Sequence, residues 1–345
     1  MPRRWLHASA AAVALLVGCQ PGAGPAVIAG DGVLCDLTTR LAGDALTVSC
    51  LLRPGDDPHQ LQLTPRQSAE LRQARLLLIN GYQLTPALAR LPDAVPVAEL
   101  AVPESPRLEA AQLHSHPHGQ AHSHGERDPH VWHDPRQAAA MVRLVSQRLE
   151  RLAPAAASRI HGRADRMTQT LQDLDRWNRR QFTNLPPDAG RRTLASGHRA
   201  FTSLCRAYGL RELAVIDAGS SSDTLRPQAL AAAVARLRQE RVAALFSDQM
   251  PASRSLSRIS QLSGVPLAPQ ALRADGLAPG SAPGTAGDLM STLTANTCLI
   301  VESLGGRCDR VGQQQLIRRW QAIAERAEER PEERPQASQR RSRLL

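Results

Sequence analysis

Short apolar runs alternate with amphipathic stretches along most of the chain, beginning at Ala26. Short apolar runs predict buried β-strands, and strands that alternate with helices predict a parallel sheet. In the first part of the chain the predicted strands are Ala26–Ala29, Leu46–Leu52, Leu76–Asn80 and Val95–Leu100. The helices predicted between and after them are Asp31–Ala42, Thr64–Ala74 and Leu84–Arg90.

The same alternation returns in the second part of the chain, after a Pro-Pro turn at residues 184–190. The predicted strands there are Thr193–Ser196, Leu213–Ile216, Val242–Ser247 and Val265–Pro269. The predicted helices are Ala200–Tyr208, Pro227–Glu240, Ser253–Ser263, Thr285–Leu304 and Gln313–Arg326. Each part therefore offers about four parallel strands flanked by helices.

Two helical stretches separate these parts, one from Asp134-Pro135 to Leu152 and a longer one over Ala155–Phe182. At about 1.5 Å per residue, some 28 residues extend roughly 42 Å, which suits a helix that runs along two lobes. We therefore expect an α/β fold with two lobes, each a roughly four-stranded parallel sheet flanked by helices, joined by one long helix. The expected boundaries are an N-terminal lobe at 20–135, a helical linker at 136–183 and a C-terminal lobe at 184–326.

The first 19 residues are typical of a secretion signal. Arg3 and Arg4 precede the apolar segment Ala8–Val17, which is too short to span a bilayer. The segment ends in Leu16-Val17-Gly18-Cys19, which resembles a bacterial lipobox with Cys19 as the lipidated residue. The alternative is an ordinary signal peptide. We expect a lipid-anchored protein on the periplasmic or cell-surface face of the cytoplasmic membrane.

Composition excludes some partners. The formal charge is +10, and all 42 basic residues are Arg, spread along the chain without a basic run interleaved with aromatics. Because aromatics make up only 3% of the chain, base-stacking platforms are not expected. We therefore predict no nucleic-acid partner, and we expect residues 327–345 to form a charged, disordered tail.

The five cysteines after the lipobox predict disulfides, since an exported protein folds in an oxidising compartment. Cys35 falls in the first predicted helix and Cys50 in the neighbouring strand, so this pair would join one strand–helix–strand unit. Cys298 and Cys308 flank a helix end and form the second predicted pair. Cys205 would then be the free thiol.

Four residues are candidate metal ligands because each follows a strand or a loop and precedes a helix or loop. Asp57-Pro58-His59 recurs as Asp128-Pro129-His130, His198 follows a predicted strand, and Asp275 precedes a Gly/Pro-rich loop. In open α/β sheets, ligands bind at the carboxyl ends of strands. A single loop histidine is usually just solvated, but three imidazoles and a carboxylate in equivalent positions suit Zn²⁺.

A histidine-rich loop at residues 112–126 is a second candidate metal-binding feature. Weak, flexible metal binding is expected of it, because an unordered loop loses entropy when it wraps an ion; the alternative is an incidental biased linker. Its histidines are His114, His116, His118, His122 and His124. His133, three residues after His130, is a possible extra ligand. The chain has no HExxH, GxSxG, P-loop or Rossmann glycine motif, so an enzyme is not predicted.

These motifs resemble the zinc-binding solute-binding proteins of bacterial ABC importers, cluster A-I, and their manganese-binding relatives. The resemblance covers roughly residues 26–325. The matching segments are Asp57-Pro58-His59 with Thr64-Pro65, Asn80-Gly81, Asp128-Pro129-His130-Val131-Trp132-His133-Asp134-Pro135, Gly197-His198-Arg199-Ala200-Phe201, Tyr208-Gly209-Leu210, Ala274-Asp275-Gly276-Leu277, Asn296 and Leu304-Gly305-Gly306.

The resemblance implies a metal ion held between the lobes by His59 and His130 from the first and His198 and Asp275 from the second. Manganese-binding members tend to carry a carboxylate at the third position, so His198 favours zinc. The chain departs from the pattern at His133, where an apolar residue is usual. Asp248 stands where the family often has glutamate, and we expect it to support the site.

The expected function is that of an extracytoplasmic monomer that binds Zn²⁺ as its substrate and delivers it to an ABC permease. One alternative is the same fold serving manganese or ferrous iron. Others are a periplasmic zinc buffer or chaperone, and a zinc hydrolase, which would need an open coordination position and a general base.

Overall fold

The computed structural model describes residues 26–53, 55–108, 127–216, 225–278, 280 and 287–325. Its first sheet has four parallel strands in the order β2-β1-β3-β4. These strands are β1 (Val27–Ala29), β2 (Val48–Cys50), β3 (Leu76–Ile79) and β4 (Ala94–Pro96). The first lobe consists of this sheet and the helices packed against it.

Two helices of the first lobe connect its strands, α1 (Gly32–Ala42) and α2 (Pro65–Gln73), and the short α3 (Val97–Ala101) follows its last strand, β4. The side chain of Asp31 accepts a hydrogen bond from the backbone of Leu34 and caps α1, whereas Thr64 and Gln67 form a capping box at the start of α2. The caps fix where each helix begins.

Two predictions for this lobe were wrong. The expected helix Leu84–Arg90 is a series of turns, because Pro86 and Pro92 restrict the residues before them and Tyr82 and Asp93 have positive φ. The expected strand Val95–Leu100 ends at Pro96, which lacks an N–H group and is followed by α3.

The second sheet has three parallel strands in the order β6-β5-β7, namely β5 (Thr193–Ser196), β6 (Arg211–Ala214) and β7 (Leu245–Phe246). The fourth predicted strand, Val265–Pro269, contributes one parallel bridge, between Leu267 and Leu245. Pro266 and Pro269 have no N–H group to donate, which limits pairing there. Helices α6 (Thr202–Tyr208), α7 (Pro227–Gln239) and α8 (Arg254–Ser263) complete the second lobe.

The long helix α5 (Ala157–Thr183) joins the two lobes, and α4 (Pro135–Leu152), which precedes it, packs in the core of the first lobe. One face of α5 is buried through apolar residues at helical spacing, namely Ile160, Met167, Leu171, Leu174 and Trp177. The structure therefore confirms an α/β fold with two parallel sheets and one long joining helix.

The last helices of the described residues are α9 (Leu289–Ser303) and α10 (Arg310–Glu325), and α10 returns to the first lobe. Trp320 of α10 is buried and donates its indole N–H to Asp36 of α1 at 3.0 Å. Asp36 also accepts the backbone N–H of Leu289, at the start of α9, at 3.0 Å. One carboxylate, whose side chain is 10% exposed, thus bonds to both closing helices from α1, a contact that the sequence did not predict.

Both predicted disulfides are present. Cys35–Cys50 joins α1 to β2 with Cα atoms 5.5 Å apart, and Cys298–Cys308 joins the second half of α9 to the loop before α10 at 5.2 Å. Cys205 is a buried free thiol within the described ranges. In the described part of the chain, no helix is both long and apolar enough to cross a membrane.

Candidate metal centre

His59 lies on a short 3-10 turn, Pro58–Gln60, that follows β2. Asp57 caps this turn, since its carboxylate accepts the backbone N–H of His59 at 2.8 Å. The imidazole points away from the cap, and its Nε2 lies 3.2 Å from Oδ1 of Asp275. The Asp-Pro-His sequence thus presents a ring nitrogen at the carboxyl edge of the first sheet.

His130 belongs to the second Asp-Pro-His segment and is fully buried. Oδ1 of Asp128 accepts its backbone N–H at 2.9 Å and lies 3.1 Å from Nδ1 of its ring. Nε2 lies on the other side of the ring, 2.8 Å from Oδ1 of Asp275. A carboxylate on Nδ1 fixes the tautomer that leaves Nε2 able to bind a metal ion.

His198 comes from the second lobe, two residues after β5. Its Nε2 lies 3.3 Å from Oδ2 of Asp275, and its Nδ1 lies 3.3 Å from Oδ2 of Asp248. Asp248 stands two residues after β7, so both side chains leave the carboxyl edge of the second sheet. This edge faces the histidines of the first lobe.

Asp275 is held by its flanking backbone. The side-chain amide of Asn296 in α9 accepts the N–H of Arg273 at 3.0 Å and donates to its carbonyl at 2.7 Å. This pair of hydrogen bonds fixes the loop two residues before Asp275. The carboxylate then directs Oδ1 at His59 and His130, and Oδ2 at His198.

The structure therefore brings the four predicted ligands together, from loops far apart in sequence. Two overlapping groups have ligand atoms within 4.8 Å of one another: His59, His130 and Asp275, and His198, Asp248 and Asp275. Asp248 was expected only to support the site. Its place two residues after a strand of the second sheet was the sequence signal that it lies at the same edge as His198.

The charges at the centre are strongly coupled. Burial raises the pKa of Asp275, but His198, His130 and His59 outweigh burial and hold the pKa of this carboxyl well below its usual value. Burial lowers the pKa of His130, but Asp128 and Asp275 outweigh it and raise the pKa to about 9. In His198 burial also lowers the pKa, whereas Asp275 and Asp248 hold it well above the usual value.

The structure does not bring His133 into either group. Its Nε2 donates to the carbonyl of Ala274 at 3.0 Å, and its ring packs against Phe201 with centroids 4.8 Å apart. Burial and the neighbouring His130 lower the pKa of His133 to about 4, so the ring is neutral. It therefore supports the segment before Asp275 rather than offering a nitrogen to an ion.

Several predicted features lie outside the described residues. These are the lipobox with Cys19, the charged tail 327–345 and the histidine-rich loop with its five histidines, His114, His116, His118, His122 and His124.

Known proteins share this sequence pattern and fold. The family described as zinc-uptake complex component A, periplasmic (ZnuA) matches residues 27–303. Zinc-binding protein TroA of Treponema pallidum (strain Nichols) is 30% identical over 224 residues, which are 64% of this chain and 69% of that protein. The solved structure of the periplasmic zinc-binding protein TroA from Treponema pallidum matches with a TM-score of 0.69 and 25% identity, and covers 82% of this chain and 100% of that chain.

Other relatives are named for manganese or iron instead of zinc. The manganese ABC transporter substrate-binding lipoprotein PsaA of Streptococcus mitis is 23% identical over 270 residues, 74% of this chain and 84% of that protein. Iron-binding protein YfeA of Yersinia pestis is 23% identical over 242 residues, 67% of this chain and 72% of that protein. The chain therefore belongs to the zinc-uptake complex component A family, within cluster A-I of the metal-binding proteins of ABC importers.

Proposed function

We propose that this protein binds Zn²⁺ as a substrate between its lobes and delivers the ion to the permease of an ABC importer. The proposed ligands are His59, His130, His198 and Asp275. The observation that carries the proposal is the convergence of three imidazole Nε2 atoms on one carboxylate, at 3.2, 2.8 and 3.3 Å. Three nitrogens and an oxygen form a donor set that suits tetrahedral zinc.

Ligand chemistry supports zinc over manganese. Imidazole suits zinc, copper and iron, whereas manganese prefers carboxylate and carbonyl oxygens. Manganese or ferrous iron remains the second candidate, because Asp248 places another carboxylate beside His198 and relatives are named for both metals. The side chain of Asp248 is 44% exposed, so water competes with the ion for its carboxylate.

We further propose that Cys19 carries a lipid and that the protein works as a monomer outside the cytoplasm. PsaA and other relatives are named as lipoproteins, and the Cys35–Cys50 and Cys298–Cys308 disulfides suit an oxidising compartment. In this proposal the histidine-rich loop is an auxiliary site that binds ions weakly. The protein makes and breaks no covalent bond.

The deciding experiment is metal analysis of the purified mature protein followed by competitive titration of Zn²⁺ against Mn²⁺. Zinc is expected to co-purify and to displace manganese. Preferential retention of manganese would establish the second candidate instead. A strain that lacks the protein distinguishes receptor from buffer, since only loss of a receptor abolishes permease-dependent zinc uptake at low external zinc.

A further inference from the structure

The carboxylate of Asp128 is fully buried and bonds to both lobes. Its Oδ1 accepts the backbone N–H of His130 at 2.9 Å and lies 3.1 Å from the imidazole Nδ1. Its Oδ2 accepts two hydrogen bonds from Ser203, the backbone N–H at 3.0 Å and the hydroxyl at 2.6 Å. Ser203 lies in the first turn of α6, in the second lobe.

The main chain around Asp128 is fixed to the first lobe. The hydroxyl of Ser105 donates to the carbonyl of Asp128 at 2.6 Å, and the amide of Asn80, directly after β3, donates to the carbonyl of Pro129 at 2.8 Å. Because the backbone is held on this side, Oδ2 keeps both bonds to Ser203 only while the second lobe stays in its observed position.

Separation of the lobes would leave Oδ2 without these two donors. A buried carboxylate that loses hydrogen bonds is strongly destabilised, so the side chain would rotate or admit water. Either change disturbs Oδ1, which lies on the ring nitrogen of His130. The orientation of this imidazole therefore depends on a contact made by the other lobe.

We propose that Asp128 and Ser203 are a positioning pair that couples the aim of His130 to closure of the lobes over the ion. The inference rests on the proposed metal-binding function and adds a release device to it. With the pair intact, Nδ1 is anchored and Nε2 is directed at the ion; when the lobes part, His130 loses its anchor and the ion is released. Neither residue touches the ion.

The first test is the variant Ser203→Ala, which removes the hydroxyl donor and leaves the backbone N–H in place. Zinc dissociation into excess chelator is expected to be about 10-fold faster, the lower end of the range for lost supporting partners. The matched control is Ser146→Ala in α4, because the Ser146 hydroxyl also donates to a carboxylate, that of Glu150, at 2.6 Å but away from the centre. The control is expected to release zinc at the wild-type rate.

The second test distinguishes coupling from loss of stability. Asp128→Asn and the double variant Asp128→Asn/Ser203→Ala complete a cycle, and a shared role predicts that the double variant is less impaired than the product of the two single effects. The increase in Tm on adding zinc is expected to shrink in Ser203→Ala but not in Ser146→Ala.

Each outcome has one meaning. The inference would be overturned if Ser203→Ala released zinc at the wild-type rate, or if Ser203→Ala and Ser146→Ala accelerated release equally. It would also be overturned if the effects of Asp128→Asn and Ser203→Ala simply multiplied in the double variant. None of these outcomes would remove the metal site. A wild-type protein that binds neither Zn²⁺ nor Mn²⁺ would instead overturn the proposed function.

Discussion

Oδ2 of Asp248 lies 3.3 Å from Nδ1 of His198, on the edge of the ring opposite to Nε2, which faces Asp275 at 3.3 Å. The arrangement repeats that of Asp128 on His130, where a carboxylate also lies on Nδ1. Each lobe therefore contributes a histidine whose Nδ1 contacts an aspartate carboxylate. A hydrogen bond at Nδ1 selects the tautomer with a free Nε2 and makes that nitrogen a better ligand.

Replacing this supporting carboxylate should weaken metal binding without removing a proposed zinc ligand. Asp248→Asn is expected to weaken zinc binding by about 10-fold, the lower end for lost supporting partners. Competition titration with a chelator measures the effect. The control is Asp165→Asn on α5, where a carboxylate 72% exposed lies 3.7 Å from His161 on the surface. Equal affinities for Asp248→Asn and the wild type would contradict a supporting role.

Removing a proposed ligand should have a larger effect. His198→Ala is expected to weaken zinc binding by well over ~10-fold, since even supporting residues reach that magnitude. His161→Ala, whose ring is 65% exposed on α5, is the matched control and should bind zinc like the wild type. Isothermal titration of both variants decides the matter. An unchanged affinity in His198→Ala would remove this residue from the site.

The sequence predicted the four candidate ligands because strand ends are recognisable locally. His198 follows an apolar run that forms β5, and the two Asp-Pro-His segments are recognisable because the same three residues occur twice. Parallel topology then places such ends along one edge of each sheet, without knowledge of side-chain contacts. The long predicted helix that became α5 further indicated that the two lobes lie side by side, with these two edges facing each other.

Contacts between side chains distant in sequence could not be predicted in this way. Asp128 and Ser203 are 75 residues apart, and their bonds depend on how the lobes pack. The same limit applies to Trp320 and Asp36, separated by 284 residues. The role of His133 was missed for the same reason, because its spacing from His130 suggests a shared face, whereas its Nε2 donates to Ala274 across the lobes.

Deleting the histidine-rich loop should separate the weak sites from the tight one. Removal of residues 112–126 is expected to lower the number of zinc ions bound at saturation and to leave the tightest dissociation constant within a few-fold. The sequence predicts a polar loop there, whose ligands would lose conformational entropy on binding, whereas the ligands of the cleft are held in place by capped turns and hydrogen bonds. Equilibrium dialysis with buffered zinc gives both quantities. Disappearance of the tightest binding would make the loop the main site.

Zinc affinity should rise with pH across the neutral range. Burial lowers the pKa of both His130 and His198, but the neighbouring carboxylates outweigh it. Asp128 and Asp275 raise the pKa of His130 to about 9. Asp275 and Asp248 hold the pKa of His198 well above its usual value. Zinc binds the deprotonated nitrogen, so below these pKa values the ion must displace a proton from each ring. Protonation therefore competes with binding at pH 7, and the competition weakens as pH rises toward about 9.

The expected result is a dissociation constant that falls by about 10- to 100-fold for each unit from pH 6 to pH 8, for one or two protons displaced. Histidines with ordinary pKa values near ~6.5 would instead give a nearly flat profile above pH 7. Competition titrations with buffered zinc at each pH measure the slope. Calorimetry in buffers of different ionisation enthalpy counts the released protons directly. A flat affinity from pH 7 to pH 8 with no proton release would contradict this prediction. It would show that His130 and His198 are already neutral at pH 7 in the metal-free protein.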